Sequence, residues 1–257
     1  MNGEIQQASN IVISARKALI ENKKIDFTPS KYTVSIQFIF ARKLLYYKSV
    51  QASSVCEWFD ICLQRGLKDI KCIIPTNKDN KHLLGFVNTS QCAIVCYWKN
   101  KKISCFRPTW EFDQKNEGWK IVYTEQFIKG SPVFKNLHFT DNTDEFKQTL
   151  LDIQKFATEI EQSYFSEIFN NAYQSLCGSE NIEDDNIPKQ LPNDFKSIYY
   201  AVDKADVFGA MGSWNDSPPY YAHKKGMDKE YNELSNGLLF QLRYHLMYVA
   251  NECWKRN

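Results

Sequence analysis

Residue types capable of chemistry crowd most closely between Val207 and His223, where the chain reads Val-Phe-Gly-Ala-Met-Gly-Ser-Trp-Asn-Asp-Ser-Pro-Pro-Tyr-Tyr-Ala-His. Asp216 and His223 supply a carboxylate and an imidazole, groups that general acid–base catalysis uses. A separation of seven residues does not by itself build a dyad. Trp214 offers an apolar plate with one donor, suited to packing or to contact with a partner. Asn215 and Asp216 can close Asx-turns, Gly209 and Gly212 can turn sharply, and Pro218-Pro219 stiffens the chain towards Tyr220. Three readings are open: a structural loop that buries Trp214, a recognition surface, or a hydrolase-type site using Asp216 and His223. We carry forward the recognition surface, with Trp214, Asn215, Asp216, Tyr220 and His223 as binding residues and no catalytic residue. The geometry expected is Trp214 mostly buried, with 215–220 presented to solvent.

The other reactive side chains match no site motif. The eight cysteines, Cys56, Cys62, Cys72, Cys92, Cys96, Cys105, Cys177 and Cys253, contain no C-x-x-C pair, and no histidine follows one at zinc-finger spacing. Cys92 and Cys96 would stand about 13 Å apart on one face of a strand, too far to share a metal ion. Reduced, buried thiols are expected, with no metal and no cofactor. His82 and His138 belong to no H-E-x-x-H motif, and His245 falls at the border of an apolar helical stripe. A P-loop, a dinucleotide fingerprint and a nucleophile elbow are all missing from the sequence. A triad assembled from distant positions stays open.

The net charge of +2 hides a split: residues 1–139 carry 21 Lys or Arg against 11 Asp or Glu, and 140–257 carry 11 against 19. The basic half invites an anionic partner. Trp98, Phe106, Trp110 and Trp119, with Lys99, Lys101, Lys102, Arg107 and Lys120, would make a stacking surface for single-stranded nucleic acid. The aromatics also suit a core against helices, and the basic residues are scattered, which favours two halves that complement each other. The polar stretch Met1–Asn10 has no secretory character, and no apolar run reaches the roughly 18 residues of a membrane span. A cytoplasmic location away from membranes is expected.

Helices must position the loop. Ile5, Ala8, Val12, Ala15 and Leu19 mark one helical face over 4–22. Thr28-Pro29 suggests a cap for a second helix to about Val50, although Tyr32, Val34, Ile36, Phe38 and Phe40 also fit period two. Ser54 and Glu57 form a capping box for a third, which Gly66 ends. Short apolar runs at Ile70–Ile74, Leu83–Asn88, Ala93–Trp98, Ile103–Phe112 and Trp119–Tyr123 read as strands, and Pro108 marks an edge or bulge. A long helix from Asn142 to Cys177, an acidic linker over 179–193, a short helix over 192–205 and a last helix over 227–253 complete the chain. The fold class is α+β, with N-terminal helices, a central antiparallel β-meander and C-terminal helices packed on the sheet. One compact domain over 1–257 is expected, with a possible division at 139/140.

The stretch Val207-Phe208-Gly209-Ala210-Met211-Gly212-Ser213-Trp214-Asn215-Asp216 resembles a motif of small uncharacterised bacterial proteins, some of them immunity-like. The resemblance spans about ten residues. It implies a non-enzymatic role in binding another protein, carries no assigned catalytic residues and says nothing of the strand region.

Overall fold

The computed structural model describes residues 1–41, 50–76, 92–128, 137–178, 182, 184 and 187–254. The fold is α+β. The chain forms two compact units. A sheet unit comprises Gly3–Ile74, Gln91–Phe139 and Ala250–Asn257, and a helical unit comprises Met1–Asn2, Pro75–Ser90 and Thr140–Val249. One boundary falls at Phe139/Thr140, where the charge balance along the chain changes sign.

The sheet unit opens with α1 (Gly3–Glu21), followed by β1 (Thr33–Ile39), β2 (Gln51–Ala52) and α2 (Val55–Gln64). Strands β3 (Leu67–Ile73), β4 (Ala93–Trp98), β5 (Ile103–Asp113) and β6 (Gly118–Phe127) complete the sheet. Its order is β2-β1-β6-β5-β4-β3. Strands β3 to β6 form the expected antiparallel meander, and β1 joins it parallel to β6. The stretch 29–50, expected to be a helix, instead opens as strand β1. The period-two reading wins because Ile36, Phe38 and Phe40 are buried while Ser35 and Gln37 are not. The continuation Arg42–Leu45, and the strand expected at Leu83–Asn88, lie outside the described residues.

Ser54 Oγ accepts from the Glu57 amide, and the Glu57 carboxylate answers to Ser53 rather than to Ser54. Pro108 is tolerated because the β4 ladder pairs β5 at residues 103–106, leaving Pro108 on a stretch bonded to β6. The core centres on Phe38, stacked on Trp58 and Tyr123 with ring centroids 4.6 and 4.9 Å apart, and Phe106 meets Phe38 edge-on.

Two side-chain networks fix this unit. Glu125, with its carboxylate fully buried, accepts both terminal nitrogens of Arg65 at 2.9 and 3.1 Å. It also accepts the Ser104 hydroxyl at 2.7 Å and the Ala41 amide at 3.0 Å. The guanidinium lies over the rings of Phe40 and Trp98. The second network runs along the outer edge of β3. Arg16 donates to the Ile70 carbonyl, and the Asp69 carboxylate accepts the Ile70 amide. The Asn251 side chain accepts from the Cys72 amide and donates to the Cys72 carbonyl, both at 2.8 Å.

All eight cysteines are described, and all are free thiols. Burial pushes Cys72 and Cys253 up to about 12 and raises Cys96 well above its ordinary value, with Cys62 beside it. Only Cys56 and Cys177 are exposed. A thiol reagent is therefore expected to titrate these two in the native protein and all eight after denaturation. A total below eight without reductant would reveal a disulfide.

The helical unit contains α3 (Thr143–Glu159), α4 (Ser163–Leu176), α5 (Asn193–Ala205), α6 (Pro218–Lys224) and most of α7 (Asp228–Glu252). The long helix expected from Asn142 is two helices. Glu161 adopts φ +62° between them, and its amide and that of Gln162 bond back to the carbonyls of Thr158 and Ala157. This is a Schellman closure built without glycine. Asn142 is the N-cap of α3 by position, yet its side chain makes no cap bond; Asp141 accepts from the Thr143 amide and hydroxyl instead. The end of 207–223, expected to be loop, is α6, for which Pro218 and Pro219 suit the first turn.

His245 is fully buried, stacked on Phe146 at 4.6 Å, and its Nδ1–H donates to the Gln241 carbonyl. Burial is the largest influence and holds its pKa below the ordinary value, against the raising effects of that bond and of Asp141. The unfolded chain therefore binds more protons as pH falls below about 6.5. Stability is expected to be level above that value and to fall as the pH drops through it. Urea unfolding between about pH 5 and 8 should show this slope, and His245→Asn should flatten it.

Candidate functional site

Every residue of 207–223 belongs to the helical unit. Trp214 is fully buried, with Phe165 and Phe169 edge-on to it at 5.2 Å and Tyr231 stacked at 5.7 Å. Phe156 completes the surround. Its indole N–H donates to the buried Ser235 hydroxyl at 2.8 Å, and the Tyr231 hydroxyl donates to its carbonyl at 2.9 Å. One side chain thus ties α3, α4 and α7 together. A change at Trp214 acts first on stability, since the indole offers no surface to a partner.

The polar residues beside it are committed to the loop's own backbone. Asn215 Oδ1 accepts from the Gly209 amide and the Ser213 hydroxyl, and Asp216 Oδ2 accepts from the Gly212 amide at 2.8 Å. Gly212 sits at φ +81°, a conformation that a side chain would strain. The Trp214 amide donates to the Val207 carbonyl and closes the base of the loop. These bonds tie down the backbone on both sides of the apex, where Met211 stands 95% exposed. Tyr220, 56% exposed, lies on α6 with its ring edge-on to Tyr221 and under the Lys224 ammonium.

His223 is exposed and pairs with Asp228 at 3.0 Å, at the start of α7. Among the described residues no hydrogen bond joins it to Asp216. The two groups of the hydrolase reading are thus occupied separately, one by a backbone amide and one by a second carboxylate. The arrangement can present surface to a partner; it assembles no acid–base pair between Asp216 and His223.

The aromatic residues of the nucleic-acid reading also separate. Trp98 and Phe106 are buried. Trp110 and Trp119 meet at 66° and Phe112 and Trp119 at 71°, edge-on packing that leaves no common stacking plane. Lys99, Lys101 and Lys102 lie at the opposite end of β5 from Phe112, roughly 30 Å away at strand rise. His138 is exposed near Glu252, and His82 lies outside the described residues. Among the described residues no group of three or more potential metal-ligating side chains converges, and no helix is long and apolar enough to cross a membrane.

An open cleft of about 480 Å³ between α3 and α4 was not foreseen. Its one sequence signal is a slip in the apolar phase. The buried series steps by five from Ile160 to Phe165, leaving Tyr164, which a continuous helix would bury, 68% exposed. Comparison of the chain with protein-family models, with curated proteins and with solved structures finds no match.

Proposed function

We propose that this chain is a non-catalytic protein-binding protein of the cytoplasm, inhibitor-like or immunity-like, acting through the surface that Met211 and Tyr220 present. The observation that carries this reading is the nearly complete exposure of Met211 on a loop whose backbone is tied down on both sides. A rigid loop loses little entropy on binding, and methionine and tyrosine are enriched where proteins meet. The ten-residue resemblance of 207–216 to immunity-like proteins points the same way, and the exposed thiols of Cys56 and Cys177 suit a reducing compartment.

A photocrosslinking amino acid at position 211 tests the reading in cells. The expected result is one discrete crosslinked protein. Its yield should fall at least about ten-fold on Tyr220→Ser, the loss of one interface anchor. The melting temperature should stay within a few degrees, as for other surface changes. No crosslink, or a diffuse ladder insensitive to position 220, would refute it.

A further inference from the structure

We propose that the α3–α4 cleft is a second contact for the protein partner and receives one of its arginine side chains. The inference rests on the protein-binding reading above and names chemistry that the reading leaves open. The floor of the cleft is Ser166, whose hydroxyl accepts from Gln154 Nε2 at 3.1 Å and shares a 2.8 Å hydrogen bond with Thr158. Glu161, Ser163, Glu167 and Asn170 complete the lining. The lining contains no apolar side chain and no cation, so it favours a ligand that brings donors and positive charge.

The structure already seats one cation at this corner. Lys225 Nζ donates to the Glu159 carbonyl at 2.6 Å and to Glu161 Oε1 at 2.8 Å, joining the end of α6 to the turn between α3 and α4. That bond holds the Glu161 carboxyl below its ordinary value. Glu167, exposed on the next turn of α4, makes no ion pair among the described residues. Carboxylate, amide and hydroxyl acceptors at Glu167, Asn170 and Ser163 suit a planar guanidinium fork of five donors better than the point charge of an ammonium. The Glu167 carboxylate opposes an anion, although the N-terminal turn of α4 lies on the cleft.

The test uses the full chain, amide-resolved NMR, and three probes: N-acetyl-arginine amide, its neutral isostere N-acetyl-citrulline amide, and inorganic phosphate. The expected result is saturable shifts at Ser163, Ser166, Glu167 and Asn170 with the arginine probe. Citrulline should bind at least about ten-fold more weakly, as loss of the charge in a bidentate pair implies. Glu167→Gln should abolish the difference between the two probes, and Glu167→Asp should retain it. Absence of shifts, equal binding of citrulline, or stronger shifts with phosphate would overturn the proposal. The titration needs no partner, so it can fail while crosslinking at Met211 succeeds, and the reverse.

Discussion

Trp214→Ala is expected to cost about 3–5 kcal/mol of stability, the range for truncating a buried aromatic residue. The site cannot collapse easily, because the rings that surround it, Phe156, Phe165, Phe169 and Tyr231, come from three different helices. Ser235 would also lose the donor that its buried hydroxyl now accepts. Urea unfolding monitored by far-ultraviolet circular dichroism measures the loss. Trp214→Phe keeps part of the plate and loses the hydrogen bond, so its cost should be smaller, about 1–2 kcal/mol. A loss below about 1 kcal/mol in the alanine variant, less than a buried aromatic truncation costs, would show that the loop does not need its anchor. In contrast, Met211→Ser should leave the unfolding midpoint where it is.

The second large effect is expected at Glu125. Glu125→Ala should destabilise by about 3–5 kcal/mol, because it leaves the mostly buried Arg65 guanidinium, its side chain 24% exposed, without its carboxylate. The Ser104 hydroxyl and the Ala41 amide lose their acceptor in the same step. Replacing the pair together, Arg65→Met with Glu125→Leu, should recover most of that loss, since removing both charges also removes their desolvation cost. If the double variant were no more stable than Glu125→Ala, the bonds to Ser104 and Ala41 would be the dominant contribution.

Elements with a single strong pattern were legible from the residues. The stripe Ile5 to Leu19 became α1, Ser54 and Gly66 bracketed α2, and the alternation of Trp119, Ile121 and Tyr123 became part of β6. Two patterns competed at Tyr32–Phe40. There, cap chemistry at Thr28-Pro29 misled, because a local capping signal cannot outweigh the burial that pairing with β6 provides. The break at Glu161 carries neither glycine nor proline, so its left-handed turn is imposed by packing on both sides. The loop's Asx bonds span two to six residues and could be anticipated, whereas Arg65 and Glu125 meet across 60 positions. The cleft is less legible still. Its serines, threonine and amides look like ordinary solvated helix residues until the turn folds α4 back beside α3.

The side-chain bonds along β3 decide how this sheet can meet other chains. An open strand edge is a template on which a foreign strand, or the same strand from another copy, can add. At Ile70 and Cys72 the outward amides and carbonyls are already taken by Asp69, Arg16 and Asn251, which behave as a fragment of strand that never extends. The far border is blunted differently, by a β2 of two residues. Polymerisation by strand exchange therefore finds no continuous seat at β3, and a partner must recognise side chains rather than backbone there. The same bonds should make the Cys72 amide exchange its hydrogen as slowly as one in the middle of the sheet.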